Sequence, residues 1–159
     1  MIAFSINLPT DVQAQINSAA AQYSVDAFVA SAVAQVSSGG QQSYPAGRLV
    51  ITPYGVGVMG ISKDVAAALN LDATQQVQNI QAGVATLAAL LAAFAGNYPL
   101  ALAAYLTSIA TVQQFNGIPP LAPVSDFVYN VSLIAANAGS PNVSSLYKIR
   151  NDGNANLRL

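Results

Sequence analysis

Apolar residues recur at helical spacing through most of this chain, and the pattern predicts a mainly helical domain. Helices are predicted over residues 10–23, 24–37, 62–69, 74–95, 98–106 and 124–137. Thr10, Ser24 and Ser62 are placed to cap three of them, and Gly39-Gly40 to stop the second. The longest helix should lie at the centre and turn one apolar stripe to the core: Ile80, Val84, Leu87, Leu90 and Leu91.

Three segments depart from helical spacing. In residues 1–9, Ile2, Phe4, Ile6 and Leu8 alternate with small or polar residues as far as Pro9, which predicts an extended N-terminal arm resembling an edge strand. Residues 41–61 are rich in Gly, Pro, Tyr and β-branched residues, which predicts a small β lobe with its best strand at 49–52. Residues 138–159 lack a helical pattern and predict a C-terminal tail. The expected organisation is an α+β domain at 10–137 between two arms.

Composition excludes several classes of function. A formal net charge of -1 gives no electrostatic basis for binding nucleic acid or an anionic membrane. The chain has no histidine and no cysteine, so we expect no zinc site, disulfide, thiol nucleophile or cofactor. Charged residues make up only 7% of the chain and apolar residues 53%, which predicts a largely neutral surface of the kind found on a subunit buried among partners.

Targeting signals are also missing from the pattern. The first residues lack the basic and long apolar regions of a secretory signal, which favours a cytoplasmic or phage-encoded protein, one made in the bacterial cytoplasm and located in a phage particle. The least polar stretch, residues 83–96, is shorter than the roughly 20 residues that a membrane-spanning helix needs. We therefore interpret it as part of the core.

Gly55, Gly57 and Gly60 have the spacing of a dinucleotide-binding turn. They follow the strand-like residues 49–52 and precede a predicted helix, as that motif requires. However, Pro53-Tyr54 interrupts the passage from strand to turn, and no alternation of strands and helices follows to build a parallel sheet. Close packing of the backbone explains these glycines better.

Five short sequences appear in an order that resembles the soluble lytic transglycosylases, a family related to goose-type lysozyme. They are Ser38-Gly39, the Gly-Val-Gly-Val-Met of 55–59, the Asn-Ile-Gln-Ala-Gly of 79–83, the Ala-Leu-Ala-Ala-Tyr of 101–105 and the Gly-Ile-Pro-Pro of 117–120. The resemblance extends over about residues 10–135. It implies a lysozyme-like fold, and a groove in which Ser38, Met59 and Tyr105 are possible lining residues.

The differences from that family fall on its sugar-handling positions. The chain contains no glutamate, and the resemblance places Ser37 where the family has its catalytic glutamate. It likewise places Gly60 at a groove glutamine, Leu106 at the start of an Asn-Ala-Gly sequence and Phe127 at a tyrosine. In the family the glutamate protonates the glycosidic oxygen, which a serine hydroxyl cannot do. The resemblance therefore implies a pseudoenzyme with no catalytic residue.

Other candidate residues have simpler explanations. Tyr54, Tyr98 and Phe115 are aromatic and suited to a sugar-binding groove, but single scattered aromatics more often belong to a core. Asp26 and Asp64 are conceivable substitute acids, yet each falls in the first turn of a predicted helix, where a carboxylate stabilises the helix dipole.

These observations favour a structural subunit of a phage or phage-like particle, associated with its tail, baseplate or capsid. Residues 1–8 and 138–159 would contact neighbouring subunits, with Tyr147, Leu157 and three basic residues anchoring the tail: Lys148, Arg150 and Arg158. A non-cleaving peptidoglycan-binding module is the alternative, with a vestigial contact in the old groove. A weak muramidase or transglycosylase with a displaced acid is a third possibility.

Overall fold

The computed structural model describes residues 5–144, which form seven α-helices. They are α1 (Thr10–Tyr23), α2 (Ala27–Ser38), α3 (Lys63–Ala68), α4 (Gln76–Ala93), α5 (Tyr98–Leu106), α6 (Ile109–Phe115) and α7 (Ala122–Ala138). The prediction of a mainly helical domain is confirmed. In the described part of the chain, no helix combines the length and apolar character needed to cross a bilayer.

The core lies among five of the helices, α1, α2, α4, α5 and α7. Helix α1 packs on α4, α2 packs on α7, and α5 contacts both α4 and α7. The predicted apolar stripe of α4 is buried at Ile80, Val84, Leu87 and Leu90, whereas Leu91 is only partly buried at the edge. The spacing of these residues therefore placed the central helix correctly.

The helix ends match the sequence in part. Ser62 caps α3 by accepting a hydrogen bond from the Val65 amide at 3.1 Å, and Gly39 ends α2 with a φ of 65°, both as predicted. The prediction of Thr10 and Ser24 as caps is wrong. Pro9 precedes α1 without a side-chain cap, and Ser24 is the left-handed residue that ends it.

Asp26 takes the cap position of α2 instead of Ser24. Its Oδ1 accepts a hydrogen bond from the Phe28 amide at 2.8 Å. A charged acceptor at a helix N-terminus is stronger than a hydroxyl because it also interacts with the helix dipole. Helix α6 was not predicted at all, since seven residues are too few to show a periodic pattern.

The segment 41–61 contains three isolated antiparallel bridges, Ser43–Leu49, Ile51–Val56 and Val56–Ile61. No regular strand forms in it, so the strand predicted at 49–52 is not present among the described residues. The reason is a tight reversal after Thr52, whose Oγ1 accepts hydrogen bonds from the amides of Tyr54 and Gly55. A chain that reverses this often cannot form an extended ladder.

The described parts of both predicted arms lie against the domain. Ile6 and Leu8 pack on the core, and the Asn7 amide donates to Gln35 Oε1 at 2.8 Å, so residues 5–8 are not a projecting edge strand. Burial of the apolar side of this segment explains the difference. Ile2, Phe4 and the residues of the tail beyond 144 lie outside the described part.

The start of the predicted C-terminal tail is held at the N-terminal end of α2. Ser140 Oγ and Asn142 Nδ2 donate to Asp26 Oδ2 at 2.6 and 2.7 Å, and Val143 is buried in the core. The cleft described below contains the other end of α2 together with the first turns of α7, so the two helices are antiparallel.

Replacing Ser132 by alanine should stabilise the protein. Ser132 Oγ on α7 is buried without a hydrogen-bond partner in the described structure, and removing an unpaired buried hydroxyl should add about 1 kcal/mol to the free energy of unfolding. Ser31→Ala is the matched control, because Ser31 is equally buried on a helix but accepts from Gln13 Nε2 at 2.9 Å. Urea unfolding measures both. A loss of stability in Ser132→Ala like that in Ser31→Ala would contradict the prediction.

Candidate functional site

A cleft of about 400 Å³ opens where the end of α2, the turn after residue 50, the end of α5 and the start of α7 meet. Four positions at which the sequence departs from the transglycosylase pattern line it: Ser37, Gly60, Leu106 and Phe127. Its full lining is Val36, Ser37, Ile51, Thr52, Pro53, Tyr54, Gly60, Tyr105, Leu106, Pro123, Asp126, Phe127 and Asn130.

Ser37 and Gly60 are neighbours at the floor of this cleft. A Cβ atom on Gly60 would lie 3.2 Å from Ser37 Cβ and 3.3 Å from Ser37 Oγ. Gly60 also has a φ of 58°, a left-handed conformation that favours glycine. The fold therefore brings together two positions that are 23 residues apart in the sequence, and leaves no side chain at one of them.

Ser38 and Met59 do not line the cleft, although the sequence analysis proposed them as groove residues. Ser38 Oγ donates to the Val58 carbonyl at 2.7 Å and accepts from the Gly40 amide at 3.0 Å. The Met59 side chain is fully buried in the core. Both residues hold the turn formed by residues 55–60, hereafter the 55–60 turn, against the body of the domain.

The 55–60 turn depends most on Asn79, a fully buried residue of α4. Its Oδ1 accepts from the Met59 amide at 2.9 Å, and its Nδ2 donates to the carbonyls of Val56 at 2.8 Å and Ala73 at 2.9 Å. Gln42 supports the same turn, because its Oε1 accepts from the Val58 amide at 3.1 Å. Buried backbone groups that have no sheet partner are satisfied here by side-chain amides.

The glycines of the 55–60 turn serve this packing. A Cβ on Gly57 would collide with the amide groups of Asn79 and Gln42, and one on Gly55 would collide with the backbone of Gly60 and Ile61. The helix directly after the turn, α3, has six residues, and no parallel sheet is present in residues 5–144. The interpretation of these glycines as close backbone packing is confirmed.

Tyr105 contributes its ring to the cleft and its hydroxyl to the structure. The hydroxyl donates to the Met59 carbonyl at 2.6 Å, and the ring lies parallel to that of Phe127, with 6.3 Å between the centroids. Burial raises the pKa of the Tyr105 phenol, which keeps it a neutral donor. The hydroxyl is therefore engaged with the 55–60 turn and does not point at a substrate.

Few polar groups remain free to face a ligand. Thr52 Oγ1 is used within its own turn. Tyr54 is exposed at the rim, and Asp126 and Asn130 lie one helical turn apart on α7. Asp126 is exposed and is the single carboxylate among the cleft residues. Asp126 and Asn130 were not predicted as cleft residues. Their spacing of i and i+4 on the last predicted helix, beside Phe127, places them on one face of that helix and could have indicated them.

The remaining candidates lie elsewhere. Asp26 caps the far end of α2, and Asp64 lies in the first turn of α3, so neither carboxylate lines the cleft. The Tyr98 hydroxyl accepts from the Asp26 amide at 3.0 Å, and Phe115 is exposed on α6. Within residues 5–144, no three potential metal-ligating side chains come together.

Comparison with known proteins identifies the fold. No protein-family model matches the sequence. The structure is similar to the X-ray structure of the lytic transglycosylase Slt from Pseudomonas aeruginosa, an inactive mutant in which a glutamate is replaced by glutamine. The TM-score is 0.66 and the sequence identity is 20%. The match covers 86% of this chain and 26% of the Slt chain, so this chain spans about a quarter of the length of Slt. The fold is therefore that of a lysozyme-like transglycosylase domain.

Replacing Asn79 by alanine should destabilise the protein strongly. The substitution leaves the buried Met59 amide without an acceptor and removes the hydrogen bonds from Asn79 Nδ2 to the Val56 and Ala73 carbonyls, which should together cost about 3 kcal/mol. Gln78→Ala, which removes an acceptor of the exposed Asp72 amide, is the neighbouring control and should cost less than about 1 kcal/mol. Chemical unfolding compares the two variants. Similar small losses in both would show that the 55–60 turn does not depend on Asn79.

Tyr105 should make stability fall at high pH. Below about pH 10 the phenol is neutral in both the folded and unfolded chain; above it, only the unfolded chain releases the proton, because burial raises the pKa in the fold. This should cost about 1 kcal/mol by pH 11. Urea midpoints from pH 8 to 11 should therefore fall less steeply in Tyr105→Phe than in wild type, with Tyr54→Phe as the control for loss of a tyrosine. Equal slopes in wild type and Tyr105→Phe would refute this.

Proposed function

We propose that the chain is a catalytically inactive lytic-transglycosylase-like protein. The observation that carries this proposal is the pair formed by Ser37 and Gly60 at the floor of the cleft. The resemblance of the sequence puts the catalytic glutamate of the family at Ser37. A serine hydroxyl does not release its proton near neutral pH, and loss of a general acid costs typically 10²–10⁴-fold in rate.

The cleft also lacks groups that would position a sugar. Gly60 has no side chain, and Leu106 and Phe127 present apolar surface where the family has polar residues. A sugar that enters such a site leaves water without gaining partners for its hydroxyl groups, which costs free energy for each unpaired hydroxyl. Loss of positioning adds to the loss of the acid.

Asp126 is the residue on which an alternative with a displaced acid depends. It belongs to α7, on a different wall from Ser37, and its side chain is exposed. Carboxyl groups that act as general acids in glycosidases are held in apolar pockets that keep them protonated. The exposure of Asp126 therefore favours the inactive protein.

A non-cleaving peptidoglycan-binding module would have to bind its glycan through Tyr54 and Asn130. These are two polar side chains in an otherwise mostly apolar lining, which gives a sugar few hydrogen-bond partners.

We further propose that the protein is a structural subunit of a phage or phage-like particle. The neutral composition supports this role, as does the presence of large apolar side chains at the surface. These are Phe28, Tyr44, Ile51, Tyr54, Val65, Leu69, Val77, Ile109, Phe115 and Leu121. Contacts with neighbouring subunits would involve this surface together with residues 1–8 and 138–159, and the particle would be the site of action.

Ser37→Glu should not restore transglycosylase activity. Wild type and Ser37→Glu are incubated with purified peptidoglycan, and released anhydromuropeptides are measured by mass spectrometry; Ser37→Gln is the control of equal size without an acid. We expect no release by wild type and at most a trace from Ser37→Glu, because Gly60 and Leu106 still do not position the sugar. Strong turnover by Ser37→Glu would mean that the groove is intact. Wild-type turnover that disappears in Asp126→Asn would instead support a displaced acid.

The structural role predicts that the protein copurifies with assembled particles in a fixed ratio to their other subunits. Quantitative mass spectrometry of particles made with wild type and with a variant lacking residues 145–159 measures this. We expect the variant to fold, because residues 12–143 form the described core, but to be underrepresented in particles. Normal occupancy of the variant would show that residues 145–159 are not needed for assembly. Absence of the wild-type protein from particles would overturn the structural role.

A further inference from the structure

The walls of the cleft present apolar surface that the described residues leave uncovered. Ile51 is 70% exposed and Tyr54 42% exposed at its rim, and Leu106 and Pro123 line it further. Uncovered apolar surface in a concave site is typical of a place where another chain segment binds. Under the proposed function no glycan occupies this cleft, so the inference below rests on that proposal.

Charge separates the described body from the segment that follows it. Residues 145–159 contain three basic residues, Lys148, Arg150 and Arg158, against one acid, Asp152. Residues 5–144 contain five aspartates against only two basic residues, Arg48 and Lys63. The cleft has one of those aspartates, Asp126, and no basic residue. The segment and the cleft are therefore complementary in charge.

The point at which the segment leaves the body limits which of its residues reach the cleft. Asn142 is bound to Asp26 at the start of α2, and Ser37 is 11 residues further along that helix, a distance of about 16 Å. Tyr147 follows Ser144 by three residues and reaches at most about 10 Å, and Ile149 follows by five residues and covers the distance only when the chain is fully extended, at about 17 Å. Leu157 follows Ser144 by 13 residues, for which a flexible chain has a root-mean-square span of about 20 Å. A tether whose span matches the distance gives the highest effective concentration.

We propose that residues 157–159 of the chain dock in the cleft of the same molecule. In an extended segment Leu157 and Leu159 point to one side and Arg158 to the other. The two leucines cover the apolar walls, and Arg158 lies at the rim beside the exposed carboxylate of Asp126. The free subunit thus covers its own cleft, and exchange of the segment between copies would use the same contacts on assembly.

Disulfide trapping tests this in the full chain, which has no cysteine of its own. The pair Leu157→Cys with Pro123→Cys links the segment to the cleft wall. The matched pair Leu157→Cys with Gln22→Cys offers an exposed site four residues before Asp26, closer to the origin of the segment but away from the cleft. In dilute protein we expect the first pair to form an intramolecular disulfide about tenfold faster than the second. Adding Asp126→Asn should slow it about two- to fivefold.

Two results would overturn the inference. Equal rates for the two pairs would show that the segment does not prefer the cleft, and a disulfide-linked dimer in dilute protein would show that the occupant comes from another copy. The charge contact has its own check: Asp126→Arg should slow trapping, and Arg158→Asp in the same chain should restore it. Failure of that rescue would remove Arg158 from the contact. Because muropeptide release is measured separately, failure here leaves the proposal of catalytic inactivity standing.

Discussion

The structure depends on satisfying the buried backbone of the 55–60 turn. This segment lies against the core, and the amides of Val58 and Met59 have no backbone acceptor, so they need side-chain partners. Asn79 from α4, Tyr105 from α5, Ser38 from α2 and Gln42 supply them. Four separate parts of the chain thus meet at one turn, and their meeting fixes the end of α2 beside Gly60, which creates the floor of the cleft.

This arrangement separates the residues that hold the fold from those that face the cleft. Ser38 binds the turn while the adjacent Ser37 faces the cleft, and the Tyr105 hydroxyl binds Met59 while its ring forms a wall. A change at Ser37 breaks none of the hydrogen bonds that hold the turn. The proposed loss of catalysis is therefore compatible with an intact lysozyme-like frame, because Ser37 takes no part in the hydrogen bonds that hold the turn.

The sequence predicted those features that arise from local spacing. The buried stripe of α4 and the stop at Gly39 follow from periodicity and from the conformational freedom of glycine. The choice between Ser24 and Asp26 as a cap was not predictable, since two adequate caps stood two residues apart. Resemblance located Ser37, Gly60 and Leu106, which do share a cleft, but it also suggested Met59, whose burial depends on packing between distant segments. The spacing of Asp126 and Asn130 on the last helix was visible in the sequence, but only the folded structure brings that helix beside Ser37.

Two-dimensional ¹H–¹⁵N NMR of the whole protein, during titration with a soluble peptidoglycan glycan fragment, tests most directly whether a lysozyme-like frame here holds a cleft that no longer binds glycan. We predict that the amides of Val58 and Met59, which are bound to Gln42 and Asn79, exchange slowly with solvent, and that no amide in the cleft shifts. Slow exchange would show that the 55–60 turn is held in place, and unchanged cleft amides would show that the cleft does not bind glycan. Saturable shifts at Ser37 and Asn130 on addition of the glycan would contradict it, because they would show that the cleft still recognises the polymer.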